Sequence, residues 1–140
     1  MTAIDGALRG RSIQSFRIAE NSVCMISFDG DYVLTSETLL RFVGTDGEFI
    51  TAEDHNQQFG LPSPYDAQAA ISKAIVGKEV SRIDVCQKTG DLRLWTDGGV
   101  IEVIASSSGY ESFQLTGAAD WIMVGVGGKQ QAEQDVDPNA

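Results

Sequence analysis

Apolar and polar residues alternate with a period of two over most of the chain, a pattern typical of half-buried β-strands. The alternation is clear at residues 23–28 and again at 92–96, where two leucines are interleaved with Arg93 and Trp95. This phase predicts that Trp95 points away from the face that the leucines occupy. The strands predicted in this way cover residues 12–18, 23–28, 32–36, 39–44, 79–87, 92–96, 100–105, 111–116 and 121–126.

Two segments of the chain are similar, which indicates an internal repeat. The first is "GRSIQSFRI", residues 10–18, and the second is "GKEVSRIDV", residues 77–85. Each begins with glycine, a basic residue and a polar residue, followed by apolar residues at matching positions. Those apolar residues are Ile13 with Val80, Phe16 with Ile83, and Ile18 with Val85. Two copies of one β unit are the simplest explanation, because repeats reflect repeated structural units.

An Asp-Gly pair stands between two predicted strands in each copy, Asp29-Gly30 in the first and Asp97-Gly98 in the second. Asp-Gly between alternating runs is the strongest short-range hairpin signal, since glycine accepts a positive φ and aspartate tolerates it. The pair recurs at a matching position, so turn geometry accounts for it before any ligand is invoked.

A helix is predicted over about residues 64–76, between the two copies. Its apolar residues fall on one face. They are Ala67, Ala70, Ile71, Ala74 and Ile75. Ser63 fits the N-cap position, Pro64 fits the first helical position, and Gly77 ends the helix.

The apolar stripe of such a helix must pack on a sheet, which predicts an α+β fold. We expect a mostly antiparallel sheet, curled or forming a half-open barrel, built from two β-meander repeats with one connecting helix packed on it. Residues 1–128 are predicted to form one domain, with the first repeat at about 10–50 and the second at about 77–126. Residues 129–140 are polar and acidic and are predicted to be a flexible tail.

The order of these motifs resembles a bacterial family of domains of unknown function that is common in actinobacteria. The shared features are a G-x-x-V position, occupied here by Gly-Arg-Ser-Ile at residues 10–13, a DG hairpin, a helix ending in G-x-x-V, "LWTDG", "YESFQLTG" and a closing "VGVGGK". Family members carry Y-E-x-W where this chain has Tyr110, Glu111, Ser112 and Phe113. The resemblance covers about residues 8–129, and it implies no catalytic residues because the family has no established activity.

The charge of the chain narrows its partners. Twenty acidic residues against ten basic ones give a net charge of −10, which repels phosphate backbones and anionic lipids. We therefore expect neither nucleic acid nor membrane as a partner. No start typical of a signal peptide and no apolar run of membrane-spanning length are present, which predicts a cytoplasmic protein.

Little in the chain is typical of an enzyme, so we predict no catalytic residue, metal or cofactor. The one histidine, His55, follows Glu53 and Asp54 in a predicted loop, and three adjacent side chains diverge in an extended chain. Cys24 and Cys86 lack the C-x-x-C spacing of a redox or zinc motif, and we interpret both as buried free thiols.

Three functional hypotheses follow. The first is a non-enzymatic binding protein, most concretely an immunity-type inhibitor whose acidic, partly aromatic sheet surface blocks a basic bacterial toxin. Its candidate partner-binding residues are Asp29, Asp31, Trp95, Asp97 and Glu111. The second is a small-ligand or enzymatic domain with a pocket formed by Glu53, Asp54 and His55. The third is a homodimer formed through an exposed edge strand.

Overall fold

The protein is described here by a computed structural model that covers residues 3–107, 110–118, 121–128 and 132–133. Within these residues the helices are α1 (Ala3–Leu8) and α2 (Ala67–Ile75), with a short 3-10 helix at Ala52–Asp54. The strands are β1 (Ile13–Ile18), β2 (Cys24–Phe28), β3 (Tyr32–Ser36), β4 (Leu39–Gly44), β5 (Phe49–Thr51), β6 (Arg82–Val85), β7 (Leu92–Thr96), β8 (Gly99–Ile104), β9 (Glu111–Thr116), β10 (Trp121–Val126) and β11 (Ala132–Glu133). The predicted tail lies outside the described residues except for β11, and so does the side chain of Trp121.

The strands form two antiparallel sheets, and each sheet contains strands from both copies of the repeat. Sheet 1 has the order β1-β2-β3-β9-β10-β11, and sheet 2 has the order β5-β4-β8-β7-β6. The first copy contributes β1–β3 to sheet 1 and β4–β5 to sheet 2, while the second copy contributes β6–β8 to sheet 2 and β9–β10 to sheet 1. The α+β class and the antiparallel pairing predicted from sequence are confirmed, with the strands exchanged between two sheets.

The starts of the two copies pair with each other through reciprocal backbone hydrogen bonds. The amide of Gly10 donates to the carbonyl of Val80, and the amide of Gly77, the residue that matches Gly10, donates to the carbonyl of Ile13, which matches Val80. Both bonds are 2.8 Å long. Such reciprocity is the mark of a two-fold relation, as at the interface of a symmetric dimer. The repeat therefore folds as two matching halves within one chain.

The core lies between the two sheets and is filled from both copies. The matching residues Phe16 and Ile83 are both buried, as are Ile13 and Val80. Helix α2 buries Ala67, Ile71 and Ile75, which are part of its predicted apolar face. The larger side chains that are fully buried include Phe28, Phe42, Phe113, Leu34, Leu40 and Ile26.

Each helix covers the outer edge of one sheet. Ser72 of α2 donates its hydroxyl to the carbonyl of Phe16 in β1 at 3.3 Å, and Asp5 of α1 accepts from the amide of Ile83 in β6 at 3.4 Å. Backbone groups on a sheet edge are sites of unwanted pairing, and side chains that occupy them reduce that tendency. A homodimer through a sheet edge would therefore use β5 or β11, which have only three and two residues. That hypothesis stays a prediction.

The start of α2 differs from the prediction. Its N-cap is Asp66, whose carboxylate accepts from the amide of Ala69, and neither Ser63 nor Pro64 lies in the helix. The reason lies in the preceding residue, since both backbone groups of Tyr65 bond to the loop at residues 56–57 and are therefore not available to a helix. The helix therefore begins later than expected.

Four short elements were not predicted: α1, β5, β11 and the 3-10 helix at Ala52–Asp54. Helix α1 has six residues and contains a glycine, so its intrinsic helix propensity is low. It is held by tertiary packing, because Ile4 and Leu8 are fully buried. Tertiary context of this kind is not visible in the periodicity of a short segment.

The two Asp-Gly hairpins are confirmed, but their turns differ. Residues 29–31 form a three-residue turn between β2 and β3, with positive φ at Gly30 (81°) and Asp31 (67°). The second turn has two residues, and the positive φ falls at Gly99 (142°) instead of Gly98. Gly98 is needed for space, since a Cβ there would collide with the backbone oxygen of Ala74 at the end of α2.

The prediction for the cysteines is half right. Cys24 is buried in β2, and burial raises the pKa of its thiol to about 12. Cys86 is exposed, which contradicts the predicted burial, because the chain leaves β6 one residue earlier and turns towards β7. Both cysteines are free thiols; Cys24 lies in β2 of sheet 1, and Cys86 follows the end of β6 of sheet 2.

Candidate functional site

The acidic residues at the hairpin corners are engaged in contacts within the fold. Asp29 accepts from the backbone amide of Ser12 at 2.9 Å and pairs with Arg11 at 3.3 Å. These contacts, the Ser12 hydrogen bond first, hold the pKa of Asp29 below its usual value. Asp29 therefore fastens the hairpin to the start of β1, and its charge is partly compensated before any partner arrives.

Asp97 repeats this arrangement in a weaker form. Its carboxylate lies 3.7 Å from the ammonium of Lys78, the residue that matches Arg11. The side chain of Asp97 is 81% exposed, so solvent screens the pair. The two predicted partner-binding acids are thus equivalent in position and unequal in how firmly they are held.

The other three predicted partner-binding residues lie on different parts of the surface. Asp31 is exposed at the first hairpin, and Glu111 is exposed at the start of β9 in sheet 1. Trp95 is half-buried on the outer face of sheet 2, where the guanidinium of Arg82 stacks 4.7 Å from the centre of its ring. Trp95 points away from the buried Leu94, as predicted. The five residues do not form one acidic, aromatic face.

An acidic surface with exposed apolar side chains is present elsewhere, on the loop of residues 52–66, which we call the acidic loop. It is closed at its base by two hydrogen bonds of 2.8 Å, from the Asn56 amide to the Tyr65 carbonyl and from the Tyr65 amide to the Gln57 carbonyl. Its tip is tightened by a 2.7 Å bond from the Leu61 amide to the Gln58 carbonyl. The backbone thus holds a compact loop of the Ω type.

The tip of the acidic loop presents apolar side chains to solvent. Phe59 is 65% exposed and Leu61 is 44% exposed. Phe59 has φ = 48°, and Gly60 follows with φ = 73°. A bulky residue in the left-handed region is an outlier that the surrounding structure must enforce, and such outliers cluster at functional sites.

Carboxylates surround the base of the loop. The pKa of Tyr65 is raised, first by partial burial of its hydroxyl and then by the negative charges of Glu48, Asp54 and Asp66. Glu53 adds a further exposed carboxylate. The acids of the second hypothesis, Glu53 and Asp54, therefore lie at the base of the loop, where the neighbouring carboxylates concentrate negative charge.

His55 takes part in capping α2. Its Nδ1 accepts from the amide of Gln68 at 3.4 Å, and it lies 3.7 Å from the carboxylate of Asp66, which caps the neighbouring amide of Ala69. Orphan amides at a helix start require such acceptors. This position gives His55 a structural task that the sequence did not reveal.

A cavity of about 280 Å³, lined by both polar and apolar groups, lies beside residues 37–40, where the chain passes from sheet 1 to sheet 2. Glu53 is the member of the predicted pocket that lines it. Asn21, Glu37 and Thr38 also line it, whereas Asp54 and His55 do not. Across the part of the chain that the structure describes, no group of three or more histidine, cysteine or acidic side chains is placed to hold a metal ion.

Sequence reasoning missed Phe59, Leu61 and Tyr65 as candidate binding residues. A signal was present, because "QQFGLPSPY" places large apolar residues in a segment otherwise rich in glycine, proline and polar residues. These apolar residues fit neither a strand pattern nor a helix pattern that would bury them in the core. Such residues are therefore candidates for an exposed apolar patch.

Comparison with known proteins gives no match to a family model, to a curated protein or to a solved structure. The resemblance to the bacterial family stays a prediction. Neither helix of the described residues is long and apolar enough to cross a membrane.

Proposed function

We propose that this chain is a non-enzymatic binding protein that docks a basic protein through the acidic loop. Its most concrete form is an immunity-type inhibitor of a basic bacterial toxin. The observation that carries the proposal is the exposed Phe59 at the tip of a loop whose backbone is closed by hydrogen bonds and whose base is acidic.

The apolar tip supports an anchor role. Binding energy at protein interfaces is concentrated in a few large side chains that enter pockets on the partner. Phe59 and Leu61 are two such side chains, and they are exposed on the same turn. Because the loop is already closed in the free protein, less conformational entropy is lost on binding.

The charge supports a basic partner. Glu48, Glu53, Asp54 and Asp66 lie around the loop, and the whole chain has a net charge of −10. Complementary charge accelerates the encounter of two proteins and makes the association rate fall with ionic strength. The partner is then expected to carry lysine or arginine around an apolar pocket.

The test measures binding of the purified protein to the purified products of its adjacent genes by surface plasmon resonance. For a product that binds, Phe59→Ala is expected to weaken affinity by about 30-fold, the effect of losing an interface anchor. A charge-reduced variant, Glu53→Gln with Asp54→Asn, should mainly lower the association rate.

The matched control is Tyr110→Ala. Tyr110 is another exposed aromatic residue, 79% exposed, and it lies outside the acidic loop. Equal affinity losses for the Phe59 and Tyr110 variants, an association rate insensitive to salt, or no binding to any basic product would each contradict the proposal.

A further inference from the structure

The outer face of sheet 2 has a different chemistry from the acidic loop. One row across it contains Phe49, Val43, Val100, Trp95 and Arg82, which are adjacent in the strand register. Phe49 is 56% exposed and the next three are half-buried. The row is therefore an apolar strip with a guanidinium at one end.

The neighbouring row is charged and organised around one buried carboxylate. Glu102 accepts from Nε of Arg41 and from Nε of Arg93, both at 2.8 Å, and its side chain is only 9% exposed. Asp84 continues the row beside Arg93. Glu102 thus holds one arginine on each side of it, Arg41 on β4 and Arg93 on β7.

These arginines retain donors for a further acceptor. Each uses Nε for Glu102, and within the described residues neither has a hydrogen bond from its Nη atoms. Arg41 also stacks on Phe49, 5.6 Å from the ring centre, and Arg82 stacks on Trp95. Arginines held in this way lose little side-chain entropy when they bind a carboxylate through their fork of donors.

The charge balance of the two rows is opposite to that of the chain. The rows hold three arginines against Asp84 and Glu102, whereas the whole chain has a net charge of −10. Arginine and aromatic side chains are also enriched at protein interfaces. A protein segment that carries both carboxylates and apolar side chains would use both rows, whereas a phosphate backbone would use only the arginines.

We propose that the outer face of sheet 2 is a second interaction surface, which binds an acidic, apolar segment of a protein partner. Carboxylates of that segment contact the Nη groups of Arg41 and Arg93 and the Nη1 group of Arg82, whose Nη2 donates to Asp84 at 2.9 Å. Its apolar side chains lie along the Phe49–Trp95 row. This surface is distinct from the acidic loop. It binds an acidic partner segment, whereas the acidic loop is proposed to bind a basic protein.

The experiment titrates the full-length, isotope-labelled protein with an eight-residue peptide of alternating glutamate and leucine, followed by nuclear magnetic resonance. The expected result is salt-sensitive shifts of amides in β4, β7 and β8, with Arg82→Glu weakening binding about tenfold. Arg82 pairs with Asp84, whereas the bonds to Glu102 come from Arg41 and Arg93, so this change removes neither bond to Glu102. Phe49→Ser, at the opposite end of the apolar row, is the second variant.

The matched control is Arg17→Glu, an exposed arginine on β1 at the outer face of sheet 1. The proposal is overturned if the peptide shifts none of these amides, if Arg17→Glu weakens binding as much as Arg82→Glu, or if a lysine–leucine peptide binds equally well. Stronger binding of an oligothymidylate would assign the face to a phosphate backbone and would also overturn it.

Discussion

The two sheets share one strand plan but present different outer faces. Across the middle of sheet 1 the register aligns Arg17, Met25, Thr35, Gln114 and Val124. The matching positions of sheet 2 are Asp84, Arg93, Glu102, Arg41 and Thr51. A mostly uncharged row thus corresponds to a row of alternating charges.

This difference separates what the repeat requires from what each copy adds. Both copies keep the glycine that precedes the first strand, the apolar residues that fill the core and the acid at the hairpin corner. These features serve the backbone plan. The residues of the outer rows are not required by the backbone plan. Positions where the outer rows of the two sheets differ are therefore the candidates for partner binding.

The largest effect is expected at the hairpin glycines. Gly98→Ala should lower the free energy of unfolding by about 3 kcal/mol, because its Cβ would strike the backbone oxygen of Ala74. A backbone atom at the end of α2 cannot move aside as the end of a flexible side chain can. Gly30→Ala should cost less, about 1.5 kcal/mol, because the new Cβ meets the guanidinium of Arg11, a side-chain group that can shift at the cost of its 3.3 Å pair with Asp29, and because φ at residue 30 is positive. Urea denaturation measures both, and equal losses would contradict the spatial difference between the two turns.

The second effect concerns the charged row. Glu102→Gln should reduce the free energy of unfolding by about 2 kcal/mol, less than for a fully buried ion pair because Arg93 reaches solvent. Thr35→Ala, at the matching position of sheet 1, should change it by less than about 0.5 kcal/mol. Thermal and urea unfolding of the two variants measure this difference in stability. If Glu102→Gln leaves the free energy of unfolding unchanged, the carboxylate does not hold the two arginines.

The third effect is a pH dependence of the stability that arises from Asp29. The depressed pKa of Asp29 means that its ionised form stabilises the folded state at pH values above the unfolded pKa, and that this contribution is lost as pH falls through the folded pKa. Asp29→Asn should therefore lower the melting temperature at pH 7 and make no difference in strong acid. Asp97→Asn serves as the control, with little change expected at either pH.

The smallest effect on stability is expected at the turn after β6. Cys86 occupies the position that Ala19 holds in the first copy, and hydrogen bonds from Thr89, and then from the Lys88 amide, lower the pKa of its thiol. Iodoacetamide should modify Cys86 in the folded protein at neutral pH and leave Cys24 intact, as peptide mass mapping will detect. Modification of Cys24 at the same rate, or loss of folding in Cys86→Ser, would contradict the prediction that Cys86 is the reactive thiol and is not needed for folding.

The sequence predicted the parts of the fold that depend on local pattern. Period-two alternation located nine strands, and the stripe through Ile71 and Ile75 located α2, because both signals report burial on one face. The exchange of β4 and β9 between sheets was not predictable, since pairing over such distances leaves no local trace. Of the candidate sites, the acids were visible as residues, whereas the exposure of Phe59 and the pairing of Asp29 depend on tertiary geometry.

The exchange of strands between the two sheets has a consequence for co-translational folding. The edge of β3 that pairs with β9, and the edge of β4 that pairs with β8, have no partner until the second copy has been synthesised. A nascent chain that has emerged only as far as α2 therefore carries two unsatisfied strand edges. Neither sheet can be completed until strands that are distant in the sequence have been synthesised, which predicts slow and late folding. During this period the exposed strand edges of the growing chain can pair wrongly or be bound by a chaperone.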